Sequence, residues 1–227
     1  MKKQVVFALN TLGWVMLFAA LLMGCIRSTG YNPGLYWEQQ LEAGILDYAG
    51  ISEEDLLLLD VNLANYLFGK YDSPNAEIPV FGQNQPAFNE KELIHLEDCR
   101  KLLAPTMSLP LNGFLAIAGV VLALFGKRKG NAVPVWLASG LILAPIAILA
   151  VWAAIDFSSA FTFFHKILFT NDLWLLNPAT DLLIRICPAS MFASMGLRIA
   201  LMSAGVLIGI PVILTIVRYL SERKRKS

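Results

Sequence analysis

The sequence predicts an all-α integral membrane protein: four transmembrane helices with a mainly helical extracytoplasmic cap. Three observations carry this. Hydrophobic residues make up 56% of the chain and charged residues only 15%, where a typical soluble domain has about a quarter charged. The apolar residues gather into runs near the ~20 residues that a hydrocarbon core requires. The charges are segregated, with basic residues bunched at the ends and in one short turn and acidic residues crowded into one long stretch. The net charge of +1 averages over that segregation and says nothing about partners. No internal repeat, low-complexity tract or Gly-rich phosphate loop is present. No basic patch accompanies a nucleic-acid-binding pattern, so nucleic acid is not an expected partner.

Residues 1–26 read as the first transmembrane helix. Lys2 and Lys3 precede an uncharged run of 23 residues from Gln4 to Ile26, longer than the roughly 7–15 apolar residues of a signal-peptide core. Leu22-Met23-Gly24-Cys25 resembles a lipobox, with Met an unusual residue two before the cysteine; the length favours a retained span. Residues 27–110 read as the cap, where acidic residues (Glu38, Glu42, Asp47, Glu53 to Asp55, Asp60 and others) outnumber basic ones. Ser52-Glu-Glu-Asp55 is a capping-box-like start for a helix to about Leu67, and Glu77 to Phe81 alternates weakly as a short strand. Asn89-Glu-Lys-Glu92 opens a second cap helix, with Asn89 as N-cap, which Pro105 ends. Residues 111–154 hold the second and third spans, joined by a Lys127-Arg128-Lys129 turn, with Trp136 and Trp152 near the two ends of the third as interface anchors.

Residues 155–196 are expected to lie at the membrane interface. Five phenylalanines, a tryptophan and a histidine crowd the stretch from Ala154 to Pro178, and aromatic rings beside sparse polar groups suit a surface that is dry at one end and wet at the other. A short amphipathic helix follows, with Asn177 as N-cap and Pro178 at its first position. Residues 197–227 contain the fourth span, Ile199 to Val217, which tolerates Pro211, and a basic tail. With four spans, Lys2, Lys3, the 127–129 turn and the tail share one side. The positive-inside rule makes that side cytoplasmic, and it places both termini there and both histidines outside.

The spans carry no charged residue at depth, which argues against a transporter or channel. The chemistry-bearing residues stand just outside the membrane. His95 lies on the second cap helix with Glu92 three before it and Asp98 three after, so either carboxylate can orient the ring; such pairs also occur on ordinary solvated helices. His165 has Phe161 and Phe169 one helical turn away, Phe164 beside it and Trp174 as a rigid wall. An apolar setting keeps an imidazole neutral and fit to act as a base, although a core histidine satisfied by one carbonyl would look the same. Asp156, Asp172 and Asp181 are nearby carboxylates, with Asp172 a further orienting candidate. Lys166 and Arg185 could meet a charged headgroup or snorkel. Cys99 lies four residues after His95, which raises a Cys–His nucleophile, and a Cys99–Cys187 disulfide is topologically allowed. A metal site built from both histidines and an aspartate lacks the spacing that identifies one.

Glu92-Leu-Ile-His95-Leu-Glu-Asp98, and Phe164-His165-Lys-Ile-Leu-Phe169-Thr-Asn171-Asp172-Leu-Trp174 followed by Asp181-x-Leu-Ile-Arg185 and Pro188, resemble the lipoprotein intramolecular transacylase family of bacterial membrane proteins. The resemblance covers nearly the whole chain. It implies four transmembrane helices, an extracellular cap, and two catalytic histidines, carried over as His95 and His165. It also implies a diacylated bacterial lipoprotein as substrate, in a setting of membrane lipid. The sn-2 acyl chain moves to the free amine of the N-terminal cysteine and leaves a lyso-form lipoprotein. Phe161, Phe164, Phe169, Trp174 and Arg185 are the expected substrate-binding residues. No cofactor and no metal is expected, and the apolar residue usual in the family at the position of Cys99 argues against a thiol nucleophile. Two other readings stay open: a non-catalytic accessory protein with a partner-binding acidic cap, and a metal- or Cys-dependent interfacial hydrolase.

Overall fold

The computed structural model describes residues 2–35, 37–125 and 132–225. The Lys127-Arg128-Lys129 turn and the last two residues of the basic tail lie outside them. The helices in chain order are α1 (Lys3–Gly30), α2 (Trp37–Glu42), α3 (Ile45–Ala49), α4 (Glu53–Leu67), α5 (Glu90–Leu103), α6 (Leu109–Phe125), α7 (Val133–Ile155), α8 (Phe157–Leu168), α9 (Leu182–Ile186) and α10 (Ala189–Lys224). An antiparallel hairpin, β1 (Glu77–Val80) and β2 (Gln83–Pro86), separates α4 from α5. Two compact units result: a spanning unit of Met1–Ile26, Ser108–Val151 and Ile199–Ser227, and a polar unit of Arg27–Met107 and Trp152–Arg198. The chain is a helical protein in which, among the described residues, α1, α7 and α10 are long and apolar enough to cross a membrane, with a fourth span if α6 is taken together with the α5 segment, to which it joins at a 51° bend.

In the spanning unit several polar side chains bond to backbone carbonyls, which supplies them an acceptor within hydrocarbon, while the buried Ser203 hydroxyl has no such partner among the described residues. Asn10 donates to the Ala123 carbonyl at 2.6 Å, and Ser139 to the Leu207 carbonyl. The α1–α6 contact is a backbone approach: a Cβ on Gly13 would stand 2.5 Å from the Ala123 nitrogen and 2.7 Å from the Gly119 carbonyl oxygen. Phe18, Val135, Ala138 and Leu207 form the buried centre.

The polar unit has its own apolar core. α4 begins at an Ser52 N-cap whose side chain accepts from the Asp55 amide, and it buries Leu56, Leu59, Leu63 and Ala64, the i, i+3, i+7, i+8 stripe of an amphipathic helix. That stripe packs with Ile45, Ala49, Ile78, Val80, Phe88, Leu96 and the α9 residues Leu182, Leu183 and Ile186. The hairpin is longer than the single strand predicted. Phe81 and Gly82 both have positive φ (49° and 78°), the two-residue turn that matches strand twist. Gly50 is required beneath it, because a Cβ there would meet the Phe81 ring at 2.4 Å.

α8 forms within the aromatic segment, where the helical spacing around His165 implied one. Two local expectations change. The short helix after α8 starts at Leu182 with Asp181 as N-cap; Asn177 instead closes a turn, its side chain accepting from the Ala179 amide at 3.0 Å and its carbonyl from Asp181. α10 begins at Ala189, well before the apolar run at Ile199.

Candidate functional site

α5 starts with a complete capping box: Asn89 accepts from the Glu92 amide, and Glu92 accepts from the Asn89 amide. This fixes the first turn and presents His95 and Leu96 to the interior one turn later. α8 starts where the Asp156 side chain accepts from the Ser159 amide at 3.0 Å. It buries Ala160 and His165, while Phe163, Phe164, Ile167 and Leu168 stay exposed. The two helices bring the two imidazoles together, with ring centroids 6.1 Å apart. His95 is 7% exposed and His165 8%.

Aromatic rings enclose the pair. Phe161 lies 4.0 Å from the His165 ring, Trp174 5.1 Å and Phe164 5.8 Å. Phe169 touches both, 5.2 Å from His95 and 5.6 Å from His165. The His165 Nδ1 is 2.7 Å from the Phe161 carbonyl oxygen. A carbonyl only accepts, so Nδ1 carries the hydrogen and Nε2 presents a lone pair. Burial lowers the His165 pKa, partly offset by that carbonyl. His95 is lowered further, to about 4, first by burial and then by His165, against the opposing charge of Asp98. Both rings are therefore mainly neutral at pH 7, the state a general base needs.

The predicted neighbours divide. Asp98 stands beside the pair: its carboxylate accepts from Asn171 at 2.9 Å and from Lys101 at 3.1 Å, and these bonds hold its pKa below the usual range. Glu92, the same number of residues from His95, does not orient it. Its oxygens accept from the Asn89 amide at 2.8 Å and from the Leu183 amide at 2.6 Å, so it caps α5 and anchors the start of α9. Asp172 is exposed, and its backbone carbonyl accepts from Leu175, which makes it part of a turn. Arg185 is occupied away from the pair: it donates to the carbonyls of Asp181 and Ala49 at 3.4 and 3.3 Å, and its guanidinium lies 5.8 Å from the centre of the Phe81 ring. Phe161, Phe169 and Trp174 wall the imidazoles, and Phe164 is an exposed rim.

Cys99 does approach His95, with Sγ 3.6 Å from Nε2. Burial and then the charge of Asp98 push its pKa up to about 12, so it is a thiol and not a thiolate nucleophile. Among the described residues Cys25, Cys99 and Cys187 form no disulfide. Among the described residues no three His, Cys, Asp or Glu side chains group as a metal site. The residue the sequence reading passed over is Asn171. Its signal was present, since an Asn after an aromatic and before a turn commonly bonds to the backbone two residues on, and here it does so to Leu173 at 3.0 Å.

The model of the lipoprotein intramolecular transacylase Lit family matches residues 11–192. The chain is similar in structure to the membrane-integral lipoprotein intramolecular transacylase Lit from Bacillus cereus, with 23% identity, 99% of this chain and 98% of that chain covered, and a TM-score of 0.72. Two variants of that protein, with a histidine replaced by arginine or by alanine, match with TM-scores of 0.68 and 0.69, at 23% and 24% identity and over 94% and 96% of their chains. At these identities the likeness establishes the fold. No curated protein sequence matches the chain.

Proposed function

Since the chain belongs to the lipoprotein intramolecular transacylase family, and is an acyltransferase on that ground, we propose that it moves the sn-2 acyl chain of a diacylglyceryl lipoprotein onto the amine of the lipoprotein's own N-terminal cysteine. The observation that carries this is the pair of neutral, buried imidazoles at 6.1 Å, one of them with its tautomer set by a backbone carbonyl. In the reaction the amine nitrogen attacks the ester carbonyl, a C–N bond forms and the C–O bond to glycerol breaks. The proton leaving nitrogen ends on the glyceryl oxygen. The imidazole that takes the proton from the amine becomes an imidazolium, and the proton passes through the second ring to the glyceryl oxygen, so both rings return to neutral, with no covalent acyl-enzyme and no cofactor needed.

The attack closes a medium-sized ring through glycerol, sulfur and the cysteine Cα. Holding the chain folded between aromatic walls supplies an effective concentration that free solution lacks. Phe161, Phe169 and Trp174 form those walls, and Phe164 at the exposed rim meets the acyl chain. Asp98 orients and tunes His95. The wide separation of acidic and basic stretches supports a multi-pass topology in a bacterial cell membrane, with both termini cytoplasmic and the polar unit as an extracytoplasmic cap beside the lipid surface. A cysteine introduced near Asp72 should then react with an impermeant reagent added outside, and one placed in the 127–129 turn should not. The reaction itself is tested by incubating purified protein with a defined diacylglyceryl lipopeptide. Mass spectrometry should find an unchanged total mass with one acyl chain moved from oxygen to nitrogen. A loss of acyl mass would make the protein a hydrolase instead.

A further inference from the structure

We propose that Asn171 is a positioning residue for this reaction: it fastens the 169–176 segment to α5 through Asp98 and so sets how the aromatic walls hold the two imidazoles. This rests on the transacylase reading above. The Asn171 amide uses both of its ends. Nδ2 donates to Asp98 Oδ2 at 2.9 Å, while Oδ1 accepts from the Leu173 amide at 3.0 Å. The first bond reaches α5 one turn beyond His95. The second shapes the turn between Phe169, which touches both imidazoles, and Trp174, which covers His165. Asp98 is itself steadied by Lys101 at 3.1 Å, so the acceptor of this clasp is fixed. The other bond from α5 to the segment, Lys91 to the Leu175 carbonyl at 2.6 Å, comes from an exposed ammonium at the far end of the helix. No other common side chain of this length offers one donor and one acceptor so placed: Asp loses the donor, Leu both, and Gln adds a carbon.

Asn171 touches neither imidazole, so its effect must pass through Asp98 and the walls. The charged or titratable groups around His95 are Asp98 and Cys99 on its own helix and His165 from α8. Two variants push His95 in opposite directions. Asn171→Leu breaks the clasp, loosens the wall and admits water, which relieves the desolvation that lowers His95; its titration midpoint should rise toward the ordinary value near 6.5. Asp98→Asn keeps an acceptor for Asn171 but removes the charge, so the midpoint should fall.

The experiment combines histidine NMR titration with turnover of a diacylglyceryl lipopeptide, using the full chain in detergent or lipid. Asn171→Leu should lower kcat about tenfold or more with KM changed by less than about threefold, since misplacement of about an ångström costs rate more than binding. Asn171→Ala, which removes both bonds without adding bulk or charge, should do the same if Asn171→Leu fails to fold. Asn171→Leu and Asp98→Leu together should be no slower than the worse single variant. Shifts of the same sign for Asn171→Leu and Asp98→Asn, an unmoved midpoint, or multiplying losses would overturn the proposal. The titration reads the clasp without any product, so a failure of the transacylase reading would show separately, as wild-type protein that yields no N-acyl peptide.

Discussion

The two units satisfy their polar groups in different ways. In the spanning unit isolated side chains bond to carbonyls, as Asn10 and Ser139 do, and helices touch through glycine backbones. In the polar unit the bonds join into a network. Glu92 ties α5 to α9, Asn89 donates to Asp181 at 3.0 Å, Asp181 accepts from the Asn177 amide at 2.7 Å, and Asn171 reaches Asp98. The first arrangement suits a solvent in which a lone polar group has few partners. The second suits a site in which two imidazoles must be held at a fixed separation, because rotamers locked by second contacts hold geometry better than packing alone.

Glu92→Ala leaves the buried Leu183 amide without its acceptor, at roughly 1–3 kcal/mol, and takes the capping-box bond from the part-buried Asn89 amide as well, so the thermal midpoint of purified protein should drop steeply. An unchanged midpoint would mean that the network is not what holds α5 and α9. In the spanning unit, Gly13→Ala drives a methyl group into backbone atoms of α6, and overpacking of this kind costs about 1–3 kcal/mol. The same melting experiment should show a smaller drop, with Asn10→Leu smaller still.

A third test uses pH. Gln40 and Asp60 are buried in the polar unit, Gln40 donating to Asp60 at 3.0 Å and to the Ile186 carbonyl at 2.9 Å. The Gln40 Oε1 and Asp60 Oδ2 atoms have no partner. Burial raises Asp60 from 3.8 to about 7, so the folded state keeps a proton that the unfolded state loses. The stability this adds is full below about pH 4 and is lost as pH rises through about 7. Asp60→Asn cannot ionise and has an N–H for Gln40 Oε1. Its melting midpoint should exceed that of wild type at pH 8, and the difference should shrink or reverse at pH 5. The smallest effect is expected at Cys99. A thiol held protonated is not a nucleophile, so Cys99→Ser should keep turnover within about threefold; complete loss would return the thiol to the mechanism.

Much of this was legible in the chain. Run length and the bunched Lys and Arg residues marked the spans, Ser52 and Asn89 marked the starts of α4 and α5, and the two histidine motifs pointed to the family that the match over residues 11–192 shows. What stayed hidden depended on packing from distant elements. Glu92 and Asp98 are each three residues from His95, about 60° to either side on a helical wheel, and nothing local says which one faces the core. α9 decides it, because its first amides need an acceptor. β2 is Gln-Asn-Gln-Pro, poor in strand formers, so its pairing with β1 could not be read. With that hairpin came Phe81, the ring that draws Arg185 away from the site. Asn177-Pro178 looked like a helix start because the same residues also open turns.

On the proposed mechanism His95 and His165 act as one neutral proton-handling pair. The measurement that tests it most directly is formation of N-acyl product by purified His95→Ala, His165→Gln and the double variant, each first checked to be folded in detergent. Each single change should lower the rate by about a thousandfold or more, and the double variant should be scarcely slower, because groups that act as a unit are not additive. Glutamine keeps a hydrogen bond but cannot take and return a proton. Product from His165→Gln at near wild-type rate would contradict the account.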